Sequence, residues 1–516
     1  MVEHQLPKLR MRVQFPSPAP AFTRVRSIVR RFTCGLSLGA LAMLATCTVA
    51  AGPIYQPPGA NLTLGDVTHG QRVQSASSNP AAAAADLARS KGRPIRGTVL
   101  SGAAGLEYGN VQNLFDFYDK VTSAYKPSDP GTGGGPGQDP GDKPDGGINI
   151  GDVLDMLDPE FREALDAVAT EVATQTALLA LIAEEGYGKA WLSADVPFVF
   201  GSEFLGGTWT FGVNWSGSSK AYGLAQAIDF DRDAARQALE DWVNTLPINR
   251  PSQLPVSDNI FLTPFQNAVL FAIDNDSSMI SKSTQTTELN LGFSRQAWSS
   301  GAGSLFVGVE ARLYLKQLSR LSVRFGDITD SEELFDAIRD ADFRTDEGAG
   351  IDVGALWVGR NYQLGAQITN VNEPKFVFPD VNLEPYRTPG AIAFLQKDQV
   401  YEMDRQLKLE GSVFTSDRRW SAHLGVDADS ATDPMGDRFQ WLTLSAGFMT
   451  ESRWVPGVRV GLRQNLTGTE LGYLSIGLTA FKIVNIDIAS ALDTVRIDGK
   501  KLPQGLMGSI GFQIAW

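Results

Sequence analysis

The strongest regularity in this chain is a period of two. Between 303 and 315, Leu305, Val307, Val309, Ala311, Leu313 and Leu315 alternate with Phe306, Gly308, Glu310, Arg312 and Tyr314. Thr287, Leu289, Leu291 and Phe293 are set against Glu288, Asn290, Gly292 and Ser294 in the same way. So are Trp420, Ala422, Leu424 and Val426 against Ser421, His423, Gly425 and Asp427. The last residues repeat it, with Ile510, Phe512, Ile514 and Trp516 on one face and Ser509, Gly511, Gln513 and Ala515 on the other. Successive side chains of a strand point to opposite faces, so these stretches predict strands with one greasy and one polar face. A soluble sandwich alternates too, but its polar faces meet water and carry more Lys and Glu. Apolar outside and polar inside is the pattern of a transmembrane barrel, with lipid around it and a wet lumen.

The connections point the same way. Short links are predicted near 201–207, 299–302, 360–361, 416–419, 451–457 and 482–483. Longer ones fall at 109–189, 230–282, 326–350, 372–400, 430–439, 467–470 and 492–504. Short and long links alternate, as periplasmic turns and external loops do in outer-membrane barrels. Counting from a first strand at 97–108 predicts an all-β chain, an antiparallel transmembrane β-barrel of about 14 strands. It would carry helical inserts in the long loops.

Residues 1–50 read as a cleaved secretory signal. Lys8, Arg10, Arg12, Arg24, Arg26, Arg30 and Arg31 precede an apolar run from Cys34 to Val49, and small residues follow. That order of basic leader, apolar core and cleavage site predicts export. Residues 51–95, with scattered Pro and Gly and the run Ala81–Ala85, read as an irregular N-terminal segment, and 96–516 as the barrel. Inside the barrel, 110–186 is a helical insert. Val111, Leu114, Phe115 and Tyr118 have helical spacing, as do Phe161, Leu165, Val168 and Val172 after the Asp158-Pro159 start. Between them, the stretch 127–147 is a Pro/Gly linker unable to bury a core.

Charge narrows the partners. Residues 1–50 hold seven of the 45 basic and one of the 58 acidic residues, which leaves 38 against 57 and a net charge of −19. No basic stripe for a phosphate backbone is present, so nucleic acid is not an expected partner. Both cysteines, Cys34 and Cys47, fall in the leader, so no disulfide or Cys metal site is expected in the mature chain.

Several stretches resemble the conjugal-transfer TraF-type outer-membrane family. They are Asn79-Pro80-Ala81, Leu106-Glu107-Tyr108-Gly109, the run Ile368 to Phe376 (ITNVNEPKF) and the closing hairpins from Trp441 to Trp516. That family is similar in layout to FadL-type transporters of hydrophobic compounds, which implies a barrel of about 14 strands with an N-terminal plug segment, so that 51–95 would be its hatch. The resemblance implies a hatch at Asn79, Pro80 and Ala81. The break in alternation at Ser216, Gly217 and Ser218 would be either a glycine bulge or the lateral opening of such barrels. Ile510, Phe512, Ile514 and Trp516 resemble the terminal strand that the barrel-assembly machinery reads. Two features depart from the family, the Pro/Gly linker and the alanine run after Pro80. No Cys-x-x-Cys is present, so the thioredoxin-like protein that shares the TraF name is a different molecule.

Chemistry is sparse. Ser421, His423 and Asp427 share one strand face, which spreads them about 6.6 Å per step and leaves a hydrolase triad in need of other partners. Glu310, Arg312, His423, Asp427, Arg459, Arg463 and Asp487 are expected to line the lumen, the ionic ones as pairs that hold the hatch or edge a channel. No metal spacing or phosphate loop stands out, and neither catalysis nor a cofactor is expected. The expected partners are outer-membrane lipid, the barrel-assembly machinery, and a hydrophobic ligand or a conjugation or cell-surface partner. Two functions follow, a passive conduit for hydrophobic small molecules or an envelope component serving conjugation.

Overall fold

Fourteen strands form where the alternation lies, and they close into a cylinder. The computed structural model describes residues 61–65, 67, 78–89, 96–109, 186–201, 206–226, 237, 254–257, 260–265, 268–273, 276–324, 327, 337–338, 340–450, 452, 454–497 and 500–515. The expected leader, the linker, the helical insert up to residue 185 and Trp516 lie outside those residues. The barrel strands are β1 (Arg96–Tyr108), β2 (Tyr187–Gly201), β3 (Thr208–Leu224), β4 (Ser278–Ser300), β5 (Gly303–Arg324), β6 (Arg344–Val358) and β7 (Tyr362–Thr369). They continue as β8 (Gln406–Phe414), β9 (Trp420–Asp427), β10 (Trp441–Phe448), β11 (Gly457–Asn465), β12 (Gly472–Ala480), β13 (Val484–Ala491) and β14 (Gly505–Ala515). Each pairs antiparallel with the next, and β14 returns to β1 from Gly97 opposite Ala515 to Glu107 opposite Gly505. Closure leaves no sheet edge unpaired in hydrocarbon, where an unbonded backbone group would cost several kcal/mol.

Sidedness follows the sequence. Leu313 is 59% exposed and Glu310, on the same strand, 2%. Leu100, Phe211, Leu291, Leu364, Leu424, Ile476, Ile488 and Ile510 repeat that exposure around the ring. Such a continuous apolar surface is stable in lipid and not in water. No described helix is long and apolar enough to cross a membrane.

The short links lie at one end, together with the start of β1 and the end of β14. Aromatic pairs mark that rim, with ring centres 5.5 Å apart for Trp298–Trp357, 4.7 Å for Trp420–Phe448 and 6.2 Å for Trp454–Phe481. One of them depends on a bulge. Between Gln296 and Trp298 the β4–β5 register shifts, so Trp298 pairs with outward Leu305 instead of pointing inward with its parity.

The wall is uneven in height. Strands β4 and β5 run 23 and 22 residues, whereas β7 through β13 have eight or nine. The surplus lies at the long-loop end, where the outward positions of β4 turn from Leu291 and Leu289 to Thr287, Gln285 and Ser283. The long loops add structure that alternation did not reveal: a three-stranded sheet within 254–273, hairpins at 375–402, 431–439 and 494–503, and a helix at Pro389–Lys397.

The segment 51–95 is not wholly irregular. It holds a single turn α1 (Asn61–Leu64) and a helix α2 (Ala82–Arg89). Gly65, at φ +94°, ends α1 by donating its N–H to Asn61 O at 3.1 Å. Asn79 starts α2: its Oδ1 accepts from Ala81 N at 3.0 Å and its carbonyl from Ala82 N at 2.9 Å. Pro80 follows it, and alanine, the best helix former, fills the first turn.

Candidate functional site

Both helical pieces lie against inward-facing residues of the barrel. α1 sits on β10 to β13, where the Thr63 N–H donates to Asp487 Oδ2 at 3.1 Å and Ser445 Oγ donates to the Leu64 carbonyl at 3.3 Å. Beyond it, the Val67 N–H donates to Glu410 Oε2 at 2.7 Å, and Asn79 Nδ2 to the Val67 carbonyl at 3.1 Å. α2 sits on the other wall, with Ala84 N–H donating to Ser294 Oγ of β4 at 3.1 Å. Ala81, Ala82, Ala84 and Ala85 pack on Phe306 and Leu356. Two glycines make that approach fit. A Cβ at Gly308 would overlap the Pro80 carbonyl, and one at Gly354 would overlap Asn79 Oδ1.

Toward the long loops from α2, a belt of charge crosses the wall. Arg312 Nη1 donates to Glu288 Oε1 at 2.7 Å, and its Nη2 lies 2.9 Å from Glu310 Oε1 and 2.8 Å from Asp352 Oδ2. The strands register these groups: Asp195 is opposite Asn214, Asn214 opposite Glu288, Asn290 opposite Arg312 and Glu310 opposite Asp352. Asp352 Oδ1 also accepts from Asn370 N at 2.8 Å.

The other sequence-selected residues separate into wall and lumen. Arg459 pairs with Asp487 and donates to Thr479 Oγ1 at 2.6 Å, so Asp487 joins β11, β13 and α1. Arg463 lies 5.1 Å over the Trp441 ring. His423 meets Ser412 Oγ at 2.6 Å through Nδ1 and Ser421 Oγ at 3.0 Å through Nε2. Asp427 instead accepts from Gln406 Nε2 at 3.2 Å and Trp441 N at 2.9 Å. Ser421 and His423 meet within β9, but the bonds of Asp427 run to Gln406 of β8 and Trp441 of β10, so the three do not line up as a Ser421, His423, Asp427 relay.

Ser216, Gly217 and Ser218 do not interrupt β3. Each is paired on both sides, to Ser193, Leu192 and Trp191 of β2 and to Thr286, Gln285 and Thr284 of β4, with no shift in register. A glycine between two long strands is carried through by its neighbours' ladders, so neither a bulge nor a lateral opening exists here. Ile510, Phe512 and Ile514 are exposed on the lipid face of β14.

A family model described as "F plasmid transfer operon, TraF, protein" matches residues 76–429, more than half of the chain. The chain belongs to the TraF family. No curated protein matches it. Among solved structures, this TraF-family chain is similar to a mutant of the TodX monoaromatic hydrocarbon channel, at 11% identity and a TM-score of 0.39 over 90% of this chain and 99% of that one. It is also similar to a Pseudomonas aeruginosa FadL homologue, at 12% identity and a TM-score of 0.33 over 90% and 99%.

In this TraF-family barrel the long-loop mouth is crossed by two loops. From the β9–β10 loop, Asp433 and Asp437 reach Lys189 of β2 and Lys220 of β3, half-way around the ring. Burial alone would raise Asp437, but the two lysines outweigh it and hold its carboxyl below the usual range. From the β7–β8 loop, Asp398 pairs with Lys282, and Arg320 Nη1 donates to the Leu395 carbonyl at 2.6 Å. Asp276 accepts from Arg387 N at 2.9 Å and Thr388 N at 2.6 Å. Sequence reading missed these loop residues, and also Asp352 and Glu410. Alternation with Ile351 and Leu409 marked the last two as inward, but nothing along the chain pointed to their partners.

Proposed function

We propose that this outer-membrane barrel is a passive conduit for hydrophobic small molecules, closed by α1 and α2 as its plug. What carries the reading is an apolar cluster on the lumen side, where a simple water-filled pore would be polar. Trp191, Trp441, Tyr473, Ala489 and Met507 project inward from β2, β10, β12, β13 and β14, and Leu62 of α1 and Phe439 of the mouth loop join the same cluster. A greasy cargo could replace those contacts once α1 moves. Deleting residues 61–89 from the leader-processed protein should raise conductance in planar bilayers and speed hydrocarbon entry into cells. If both stay unchanged, the conduit reading fails.

A second reading, an envelope component serving conjugation, is supported by the family match. Loss of the gene should then lower mating frequency, and a hydrocarbon uptake defect without a mating defect speaks against it. In both readings residues 1–50 direct export, and Ile510, Phe512, Ile514 and Trp516 serve barrel assembly. Trp516→Ala should lower the folded yield in the membrane.

A further inference from the structure

Four cations stand in register at the mouth. Lys189 of β2 is opposite Lys220 of β3, Lys220 opposite Lys282 of β4, and Lys282 opposite Arg320 of β5. Like charges directly opposite one another destabilise a sheet, so the row needs acids beside it. Loops supply them: Asp398 for Lys282 and Arg320, and Asp433 and Asp437 for Lys189 and Lys220.

The two loops are fastened differently. The β7–β8 loop is held by its backbone, through Arg387 N and Thr388 N on Asp276, and by an apolar cluster that joins Tyr386 and Leu395 to Ile280 of β4. The hairpin 431–439 of the β9–β10 loop makes no backbone–backbone hydrogen bond to β2 or β3 among the described residues. It reaches them through side chains, the two aspartates and Phe439, whose ring centre lies 4.5 Å from Lys189 Nζ. Its tip is closed on itself, with Asp433 N donating to the Asp437 carbonyl at 2.8 Å and Gly436 making the turn at φ +92°. The hairpin can therefore move as one piece.

What it covers is α1. Phe439 stacks on Trp441 with ring centres 5.9 Å apart, in the cluster that holds Leu62, and Leu62 is 2% exposed. While the hairpin is down, each buried lysine depends on its aspartate, because an unpaired buried charge is strongly destabilising. Once it lifts, water reaches both signs of charge and neither is left buried and alone. Ion pairs at a mouth thus tolerate two positions, shut and open, where a packed contact tolerates one.

We propose that the hairpin 431–439 is the outer gate of the barrel, latched by Asp433 and Asp437 on Lys189 and Lys220, and that it opens before α1 leaves the wall. The proposal rests on the conduit reading and adds its regulation. The chain has no cysteine outside residues 1–50, so Leu62→Cys in the leader-processed protein reports on α1 alone. Its labelling by a charged methanethiosulfonate is followed in liposomes holding the purified protein. Adding Asp433→Asn and Asp437→Asn should speed labelling at least about tenfold, since both lysines lose their partners. An Ala84→Cys reporter on α2 should label at one rate with and without those two changes. Folding of each variant is checked by its heat-modifiable mobility.

Unchanged labelling at Leu62→Cys overturns the gate, and so does a rise at both reporters, which marks the hairpin as a strut of the whole lumen. A second measurement locks the latch. The pair Lys220→Cys, Asp437→Cys should raise conductance in planar bilayers, and bridging it with a short bismaleimide should take that rise away. A rise that survives the bridge overturns the gate. If conductance also ignores the deletion of α1 and α2, the conduit reading fails, and labelling at Leu62→Cys still decides whether the hairpin is a lid on α1.

Discussion

The two helical pieces inside the barrel are held by different balances of contact, although Leu62 of α1 also packs in the apolar cluster and Ala84 of α2 also donates to Ser294. α1 is tied to β10–β13 through directional polar contacts, Thr63 N–H on Asp487 and Ser445 on the Leu64 carbonyl, with Glu410 holding the chain just beyond. α2 lies on β4–β6 through small residues, alanines against Phe306 and Leu356 and a backbone seated over Gly308 and Gly354. A polar dock can exchange its hydrogen bonds for water, at a net loss of only about 0.5–1.5 kcal/mol each. A close-packed dock has no such exchange, because its contacts exist only at one separation. The difference suggests an order of release, with α1 the half that opens and α2 the half that fixes position.

Substitutions can separate the two docks from the barrel and from each other. The largest effect should come from the shared wall. Leu313→Arg puts a charge in the lipid belt and should destabilise the barrel by about 2–4 kcal/mol, loosening both docks together in a urea-unfolding series. Next, Gly308→Val should cost about 3 kcal/mol at the α2 dock, since the added atoms meet the Pro80 backbone and not a movable side-chain tip. Limited proteolysis should then cut near α2 while β4 and β5 stay protected. Cleavage near α1 alone would reverse the proposed order.

Asp487→Asn should weaken the α1 dock by about 2 kcal/mol, because one change removes the charge facing both Arg459 and Thr63. Hydrogen exchange at Thr63 should speed up, with exchange at Ala84 unchanged. The smallest change, Ser445→Ala, should cost about 1 kcal/mol and speed exchange across α1 only slightly. If Asp487→Asn freed α2 as readily as α1, the docks would be one unit and the comparison would fail.

Alternation made the strands legible, with ends up to seven residues off where β6 begins at Arg344 inside an expected link of 326–350, and it separated the outward Leu291 and Leu313 from the inward Glu288 and Glu310. It failed where local pattern is weak or misleading. The alanine run before Arg89 has helix propensity but no periodicity, and α1 is a single turn, so neither stands out along the chain. Ser216-Gly217-Ser218 looked like a break because glycine and serine are poor strand formers, yet two long neighbours carry the ladder through them. The spread of Ser421, His423 and Asp427 along one face already argued against a relay, but the partners of Asp427 on the two neighbouring strands were not legible.

Which way each side chain faces was decided along the chain itself, since inward and outward are set by the parity of a residue within its own strand. Which groups meet inside was decided by closure and register. Thr63 and Asp487 are 424 positions apart, and Lys189 and Asp433 are 244 apart. Only the closed ring brings such residues within hydrogen-bond reach, because its register sets the height of every inward group against groups on strands remote in sequence.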